Sequence, residues 1–456
     1  AEHPMTKATG APLELIDDAL ARLLADATPL PAERVVVDDS AAATLIGRTL
    51  AEPLVAAVDH PPVDVSAMDG WVTTAADALA DGSGLPRRLV CVGDAAAGRQ
   101  PNQVPLRRGE CQRIATGAPI PPGGETVVPV ELSSLEDPGR GGSLLGRVPT
   151  EVPAHVWLVE SVRAGGNIRR CGEDQRIGRR LADAGETIDP GLLAVIFSSG
   201  VAELSVVRRP KVAILATGDE IVDGDSGHGL RDSNSPALAG MIVAEGGEVV
   251  ARRRVGDTLE ATATAVAELA AEADLVVTTG GVSVGAHDHV GSALAEQFES
   301  VVWRIAIQPG KPLLIGRRRP DRDGARWALG LPGNPVSAFV VGMEVLLPLV
   351  RALGGRPARA LTAKGVLEEP VESPNGKRSF LRLEALRDAT GSPILDRFGR
   401  VRVRLAGQQG SHQVSVLART DYLGVVPEPL VGYAAGDEIE LHPLPRASHR
   451  VVVPNG

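Results

Sequence analysis

The sequence predicts a multidomain α/β protein with a central doubly wound α/β/α sheet domain, and two features of the chain indicate this fold. Between residues 208 and 356, short apolar segments alternate with segments of helical periodicity, which is typical of parallel strands joined by crossover helices. Outside this region, short apolar runs separated by Gly and Pro turns indicate β-structure. The predicted elements of the central region are strands at 211–217, 248–255, 274–279 and 327–330 and helices at 237–245 and 259–272.

Three further domains are predicted around the central one. Apolar residues at helical spacing indicate an amphipathic helix at 13–24, and a second helical stretch is expected at 39–50. The last hundred residues are rich in strand-like runs and contain no convincing helix, which favours a β-barrel-like domain. The predicted boundaries are 5–57 with 152–207 for an N-terminal mixed domain, 58–151 for a small inserted β domain, 208–356 for the central domain and 357–456 for the C-terminal domain.

Composition excludes several classes of protein. The chain has 456 residues, a net charge of −10 and only 2% aromatic residues, which argues against a dedicated nucleic-acid or anionic-membrane binder. Its three cysteines contain no CxxC pair, so neither a disulfide framework nor a zinc site is indicated. We recognise no signal peptide and no apolar run long enough to cross a membrane, and we therefore expect a cytoplasmic protein.

A glycine-rich loop follows the predicted strand at 274–279, in the sequence DLVVTTGGVSVGAHD. Gly280, Gly281 and Gly285 would let backbone N–H groups approach a phosphate closely, and the Ser283 hydroxyl could add a further donor. Such a loop is also compatible with a plain strand-to-helix turn. The loop alone therefore leaves a phosphate site and a structural turn as alternatives.

Three carboxylates follow strands or loops of the same predicted sheet: Glu220, Asp257 and Asp288. Carboxylates are costly to bury unless they are paired or bind a metal, and beside a phosphate-binding loop they usually hold Mg²⁺. The alternative for the Asp219-Glu220 pair is that it caps the next helix. The convergence of the three on one sheet edge favours the metal site.

Two proline-containing turns complete the central region. Pro332 and Pro335 flank Gly-Asn in LPGNPVSA, and they fix a rigid loop after the strand at 327–330. Lys311, in Pro-Gly-Lys-Pro, offers a positive charge to an anion. A stiff turn and a solvated lysine remain the structural alternatives for these two segments.

Taken together, the segments resemble the molybdenum-insertion enzymes, namely the bacterial MoeA family and the similar domain at the C terminus of gephyrin. The resemblance covers nearly the whole chain and preserves the order of the motifs. The central domain alone would also fit the related pterin adenylyltransferases, and the flanking motifs separate the two families. The motifs are DxSAMDG, TGAPxP, NIRxxGED, TGDE, DSNSP, TTGGVSVGxxD, PGKP and LPGNPVSA.

The resemblance assigns functional roles to individual positions of this chain. Those with a catalytic role are Asp69, Thr116, Asp174, Glu220, Asp257 and Asp288, of which Glu220 and Asp288 would also bind the metal. Those that would bind the substrates are Gly280, Gly281, Ser283, Gly285, Lys311, Pro332, Pro335, Arg382 and Ser411.

The chain departs from the family pattern at two positions near these motifs. Trp71 stands where the family usually has Tyr or Phe, and Gln308 precedes Pro309 where many members have Lys. The second departure weakens the case for a doubly basic anion pocket.

The activity that the resemblance implies is the insertion of molybdate into adenylated molybdopterin, with Mg²⁺ as cofactor and release of AMP. The phosphates would lie over Gly280 to Gly285, and Glu220 and Asp288, with Asp257, would hold Mg²⁺. Molybdate would lie near Lys311, Arg382 and Ser411. The choice between molybdenum and tungsten stays open.

Two other functions fit the same fold. A pterin adenylyltransferase would consume ATP in the preceding step, and a scaffold or cofactor carrier would have no catalytic activity. A scaffold has no reason to keep three carboxylates at one sheet edge, which speaks against that alternative.

The resemblance also implies an elongated homodimer, in which the inserted β domain of one subunit meets the central domain of the other. The polar loops at Asp69 and Thr116 are expected to have no partner within their own domain, which agrees with a shared site. Other proteins of cofactor biosynthesis are further candidate partners, whereas nucleic acid and membrane are not expected.

The shared site can be tested by complementation. Mixing Asp69→Ala subunits with Asp288→Ala subunits should restore one intact site per heterodimer, because each variant supplies the carboxylate that the other lacks. The measurement is molybdate-dependent AMP release by the mixture and by each parent. A mixture that forms heterodimers and stays as inactive as its parents would contradict the shared site.

Overall fold

The computed structural model describes residues 13–79, 85–98, 104–221, 229–282, 289–374 and 376–445. The α-helices, in chain order, are α1 (Ile16–Ala25), α2 (Ala41–Leu45), α3 (Ala75–Ala78), α4 (Pro190–Ser198), α5 (Asn234–Ala244), α6 (Leu259–Glu272), α7 (Val290–Ala295), α8 (Pro335–Val341) and α9 (Leu347–Leu353). A π-helical turn, Gly342–Leu346, joins α8 to α9.

The strands are short in the first half of the chain and longer in the second. In chain order they are β1 (Ala32–Val36), β2 (Leu54–Val55), β3 (Val65–Ser66), β4 (Gly70–Thr73), β5 (Arg87–Ala95), β6 (Glu110–Ile114), β7 (Thr126–Pro129), β8 (Ser133–Ser134), β9 (His155–Leu158), β10 (Ile168–Arg169), β11 (Arg180–Ala182), β12 (Glu203–Val207), β13 (Lys211–Thr217), β14 (Glu248–Val255), β15 (Leu275–Thr279), β16 (Phe298–Trp303), β17 (Ile307–Gln308), β18 (Leu314–Arg318), β19 (Trp327–Leu331), β20 (Ala363–Leu367), β21 (Val371–Glu372), β22 (Arg378–Ala385), β23 (Val401–Leu405), β24 (Tyr422–Val426), β25 (Gly432–Tyr433) and β26 (Glu438–Pro443).

The chain divides into two compact units. One consists of Pro53–Asp183 and Pro190–Leu204, and the other contains the described residues of Ala1–Glu52, Ala184–Asp189 and Ser205–Gly456. We call the first the β unit and the second the α/β unit. The four predicted domain boundaries divide the chain more finely than these two units and stay predictions.

The α/β unit contains a three-layer sandwich, as the sequence predicted. Its sheet has the strand order β14-β13-β15-β19-β18-β16, and the first four strands are mutually parallel. Val212 and Ile214 of β13 pack with α5, α8 and α9 on one face, whereas Ala213 and Leu215 pack with α6 and α7 on the other. Alternate residues of one buried strand therefore serve two cores, which explains the nearly continuous apolar run.

Local sequence signals account for the helix starts in this unit. The Thr258 side chain accepts a hydrogen bond from the backbone N–H of Ala261, at 3.3 Å, and caps the alanine-rich α6. Asp232 accepts hydrogen bonds from the N–H groups of Asn234 and Ser235 and so caps α5. Pro335 occupies the first turn of α8, where its missing N–H costs nothing.

Two predictions about helices need correction. The helix expected at 39–50 is confined to α2, because Thr49 and Leu50 form β-bridges to Thr187 and Val206 instead. The prediction that no apolar run is long enough to cross a membrane is also wrong, since Pro335–Leu353 forms one of 19 residues. This segment is 89% buried inside the protein, which is the position of a core helix.

A closed five-stranded barrel forms the C-terminal part of the α/β unit. Its order is β22-β23-β20-β26-β24, and β24 pairs again with β22 to close it. The barrel core contains Leu383, Val403 and Leu441. Glu344, in the π-helical turn, accepts a hydrogen bond from Nδ1 of His442 on β26, at 2.9 Å, and so connects the long helical segment to the barrel.

The β unit is built on a curled six-stranded sheet with the order β7-β4-β6-β5-β9-β8. Trp71, Leu89 and Val156 form its core, and the Trp71 indole N–H donates to the Ser133 hydroxyl at 2.8 Å. The prediction of a small β-structured region here is confirmed.

A partly buried ion pair holds the start of the central sheet. Both Asp274 oxygens accept hydrogen bonds from the Arg208 guanidinium, at 2.5 and 2.6 Å, and one also accepts the N–H of Lys211 at 2.9 Å. The carboxylate thus joins the beginning of β13 to the beginning of β15.

Asp274→Asn should lower the free energy of unfolding of the α/β unit by about 1–3 kcal/mol, because the partly buried Arg208 guanidinium loses its hydrogen-bonded counterion and keeps only the weaker attraction of Glu33 and Glu248. Urea unfolding followed by circular dichroism measures the change. The matched control is Glu299→Gln, which removes an exposed partner of Arg317 and should cost less than about 1 kcal/mol. Equal losses in the two variants would contradict the structural role of Asp274.

Candidate functional site

A cleft of about 750 Å³ lies at the carboxyl ends of the parallel strands. The chain passes from β13 to β14 on one side and then returns to β15 on the other side of β13. Ligands of such sheets bind where these two crossovers diverge. Thr217 and Gly218 after β13, and Gly280 and Gly281 after β15, line the cleft at this position.

The two glycines are required by the close approach of the strand ends. Gly280 and Gly281 have φ angles of +92° and +61°. A Cβ atom added to Gly280 would lie 2.5 Å from the Thr217 carbonyl oxygen, and one on Gly281 would lie 2.7 Å from Cγ2 of Val290. The strand ends therefore meet with no side chain between them. Ser283, Gly285 and Asp288 lie outside the described residues.

Thr217 brings a buried hydroxyl to the cleft. The residue is 3% exposed, and its Oγ1 has no hydrogen-bond partner among the residues that the structure describes. A buried hydroxyl without a partner costs free energy, so this oxygen is available to a ligand that reaches the cleft.

Two of the three predicted carboxylates, Glu220 and Asp257, line the cleft. Neighbouring Asp219 has a different role, since its Oδ1 accepts the backbone N–H of Asp257 at 3.1 Å and connects the two loops. Asp232, and neither Asp219 nor Glu220, caps α5, which is the next helix in the described part of the chain. Within the described part of the chain, no three His, Cys, Asp or Glu side chains are close enough to hold a metal ion together.

Asn234 is a cleft residue to which the sequence analysis assigned no role. Its amide Nδ2 donates to the Thr279 hydroxyl at 2.8 Å and to the Gly333 carbonyl at 2.9 Å. One side chain thus connects the start of α5 to the ends of β15 and β19. Its position in the DSNSP motif was the available signal, but the two acceptors are distant in sequence and could not be predicted.

The rigid proline turn is joined by a loop from the C-terminal barrel. Pro332 and Pro335 both line the cleft, as does Asn334 between them. The Asn334 amide lies 3.4 Å from the Ser411 hydroxyl, and the N–H of Val336 donates to the Ser411 carbonyl at 3.1 Å. The structure therefore brings Ser411 to the edge of the cleft.

Arg382 is buried in a second, smaller pocket of about 150 Å³. The residue is 2% exposed, and its Nη1 donates to the Phe380 carbonyl at 2.9 Å. Its Nε and Nη2 have no partner among the described residues. Burial lowers the pKa of Arg382 to about 10, so the guanidinium still carries its charge at neutral pH.

Lys311 lies in the chain between a residue of the arginine pocket and a residue of the cleft, but it lines neither. Its side chain is exposed, and the neighbouring Pro312 lines the cleft. Gln308, three residues before Lys311, lines the arginine pocket. The segment that carries Lys311 therefore begins at one pocket and ends at the other.

In the β unit, Asp69 and Thr116 are hydrogen-bonded to each other. The Asp69 Oδ1 accepts the backbone N–H of Thr116 at 2.6 Å and its hydroxyl at 2.8 Å. These bonds hold the pKa of Asp69 below its usual value. The expectation that the two loops have no partner in their own domain is therefore wrong.

The predicted loop that contains Asp174 lies beside the Asp69 loop. β10 pairs with β3, and Asp64 accepts the backbone N–H of Cys171 at 2.8 Å. The Asp174 backbone N–H donates to the His60 carbonyl at 3.1 Å, and its side chain is exposed. Asp69, Thr116 and Asp174 belong to the β unit, whereas the cleft and the arginine pocket belong to the α/β unit.

The central sheet with its cleft defines the class of the protein. Residues 213–352 match the family described as a probable molybdopterin binding domain. Residues 15–200 match the MoeA N-terminal region (domain I and II), and residues 364–444 match the MoeA C-terminal region (domain IV).

The chain belongs to the MoeA family of molybdopterin molybdenumtransferases. It is 32% identical over 418 residues to molybdopterin molybdenumtransferase 2 of Mycobacterium tuberculosis, an alignment that covers 87% of this chain and 93% of that protein. It is 31% identical over 435 residues to molybdopterin molybdenumtransferase of Synechococcus elongatus, covering 93% and 98%. A crystal structure of a molybdopterin biosynthesis MoeA protein from Pyrococcus horikoshii matches with a TM-score of 0.70 and 26% identity, covering 95% and 99%.

Replacing Asn234 by Ala should loosen the cleft, because two hydrogen bonds between distant segments are lost. We expect the free energy of unfolding to fall by about 1–3 kcal/mol. Backbone amide exchange should become faster in β15 and in the loop after β19. The adjacent, exposed Ser233→Ala serves as control and should change neither quantity. Unchanged exchange in Asn234→Ala would show that the amide does not hold the cleft together.

Proposed function

We propose that the protein inserts molybdate into adenylated molybdopterin and releases AMP, with Mg²⁺ as cofactor. The relatives support the reaction class, since each of them is a molybdopterin molybdenumtransferase. The observation that carries the proposal for this chain is an open cleft at the sheet edge together with a buried guanidinium, that of Arg382, whose Nε and Nη2 have no partner among the described residues.

Two short segments connect the cleft to the arginine pocket. Gln308 lines the pocket and Pro312 lines the cleft, and in the same way Gln409 lines the pocket and His412 lines the cleft. Extended chain spans at most about 3.6 Å per residue, so these segments bridge at most about 14 and 11 Å. One substrate can therefore lie in the cleft while its reacting end faces an anion bound by Arg382.

The arginine pocket suits a tetrahedral dianion. Two donor nitrogens of the buried Arg382 guanidinium have no partner in the described part of the chain, which is unfavourable and becomes favourable when an anion accepts those hydrogen bonds. Lys311 and Ser411 lie on the two segments that reach the pocket, so they would add a positive charge and a hydroxyl to the same anion. We assign molybdate to this place.

The cleft suits the phosphates of the adenylated pterin. The Gly280 N–H donates to the Leu331 carbonyl at 3.2 Å and so fixes the loop, whose glycine backbone lets phosphates approach closely. The Gly281 N–H and the Thr217 hydroxyl, which has no partner among the described residues, would donate to phosphate oxygens. Carboxylate oxygens are the ligands that Mg²⁺ prefers, and Glu220 with Asp288 would hold the ion, with Asp257 as a further ligand. Bound Mg²⁺ would supply neutralisation of phosphate charge.

The protein groups would act mainly by positioning and electrostatic stabilisation. Arg382 and Lys311 would hold molybdate against the dithiolene end of the substrate, and the cleft backbone would stabilise charge on the phosphoanhydride as AMP leaves. The proposed chemistry requires no covalent nucleophile from the protein.

We further propose that the active form is a cytoplasmic homodimer with a site shared between subunits. Asp69, Thr116 and Asp174 would then act at the cleft of the partner. Asp69 accepts two hydrogen bonds from Thr116, which fix the pair as a polar surface. The same bonds lower the pKa of Asp69, so its carboxylate stays charged.

The reaction is tested by incubating the protein with adenylated molybdopterin and Mg²⁺, with and without molybdate, and measuring AMP by chromatography. AMP release that depends on molybdate supports the proposal. Consumption of ATP with unadenylated molybdopterin would instead indicate an adenylyltransferase, and no activity with either substrate would indicate a scaffold.

Arg382→Met should separate binding from stability in this assay. Hydrogen bonds to a charged group contribute about 1.5–3 kcal/mol, so their loss should raise the KM for molybdate by about 10–100-fold. The free energy of unfolding should stay equal or rise, because an unpaired buried charge is replaced by an apolar chain of similar length.

The matched control is Arg404→Met on the same barrel, where Arg404 forms an exposed ion pair with Glu384 and should affect neither quantity. An Arg382→Met protein that melts at a lower temperature and keeps a normal KM would assign Arg382 to the fold alone.

A further inference from the structure

Two of the three cysteines lie side by side on neighbouring strands of the β unit. Cys91 on β5 and Cys111 on β6 are directly paired in a parallel ladder. Paired residues project to the same face, and neighbouring strands lie about 4.8 Å apart, which falls within the Cα separation that a disulfide requires. Cys91 packs against the hydrophobic core that contains Cys111.

The surroundings of the two thiols differ. Cys91 is partly exposed, and the hydrogen bond from Cys111 lowers the pKa of Cys91 to about 7, with a smaller contribution from Arg113. Cys111 is fully buried, and the same hydrogen bond, its burial and nearby Asp77 raise the pKa of Cys111. At neutral pH the accessible sulfur is therefore the more nucleophilic one.

We propose that Cys91 and Cys111 form a reversible oxidation site, at which a peroxide oxidises Cys91 and Cys111 then closes a disulfide. The Cys91 thiolate attacks one peroxide oxygen, the O–O bond breaks, and sulfenic acid and hydroxide form. The Cys111 sulfur attacks the Cys91 sulfur, and the S–O bond breaks with loss of water. Two thiols lose two electrons in total, and hydrogen peroxide is reduced to two waters.

The second step requires the Cys111 sulfur to reach the Cys91 sulfur. The two residues are paired on neighbouring strands, and Cys91 packs against the core that contains Cys111. The register of β5 against β6 is irregular just after Cys91, so the backbone there can accommodate a small shift.

The proposed disulfide lies close to residues of the proposed active site. β6 ends at Ile114, and Thr116, which binds Asp69, follows two residues later. Cys111 also pairs with Thr73 of β4, the strand that begins directly after Asp69. The oxidation site is separate from the proposed reaction and does not depend on it.

The test treats reduced, folded protein with a slight excess of hydrogen peroxide, removes the peroxide with catalase, and maps the peptides after alkylation. The count of free thiols should fall from three to one, with a disulfide between the Cys91 and Cys111 peptides that dithiothreitol reverses. Cys171→Ser serves as control and should form the same disulfide.

Two variants assign the roles. Cys111→Ala should stop at a Cys91 sulfenic acid that dimedone traps, and circular dichroism checks that this buried substitution leaves the fold intact. Cys91→Ser, at a partly exposed position, should leave Cys111 as a free thiol. A wild-type protein in which Cys91 is oxidised no faster than Cys171, or is overoxidised with Cys111 still free, would overturn the proposal. A disulfide between two protein chains would overturn it as well.

Discussion

The close approach of β13 and β15 at their carboxyl ends is the constraint on which the cleft depends. The Gly280 backbone lies directly against the Thr217 carbonyl, and any side chain at Gly280 would separate the two strands. Because these strands flank the point where the crossovers diverge, the same contact leaves glycine backbone without a covering side chain at the place where such sheets bind ligands. At the same edge, the Gly280 N–H donates to the Leu331 carbonyl, and the Asn234 amide donates to the Thr279 hydroxyl. These bonds join the ends of β15 and β19 to the start of α5.

Elements with strong local periodicity could be predicted from the sequence, and those that depend on distant partners could not. β13, β14, β15 and α6 were predicted close to their observed bounds, because buried alternation and a capped alanine-rich helix are local signals. The stretch after α2 looked helical but pairs with Thr187 and Val206, whose influence no local pattern reveals. The apolar character of Pro335–Leu353 reflects burial between the sheet and other helices.

The candidate site shows the same division. Glu220, Asp257, Gly280 and the two prolines of the rigid turn were predicted residues, and the structure places all of them around one cleft. Within each unit, the hydrogen bonds of the candidate residues join segments far apart in the chain, such as Asn334 with Ser411 in the α/β unit and Asp69 with Thr116 in the β unit. Motif similarity identified most of these residues, but only the folded chain shows which of them share a hydrogen bond.

If molybdate binds at Arg382 as proposed, its binding would be coupled to the stability of the barrel, because Nε and Nη2 of this buried guanidinium have no partner among the described residues. An anion that binds the folded state alone stabilises it by RT ln(1 + [L]/Kd), so a concentration one hundred times Kd adds about 2.7 kcal/mol. Here the added stability would arise at β22, the strand that carries Arg382 and pairs with both β23 and β24 in the barrel. A cell poor in the oxyanion would then hold a more easily unfolded population of this protein, and the supply of one ion would influence how long the protein persists.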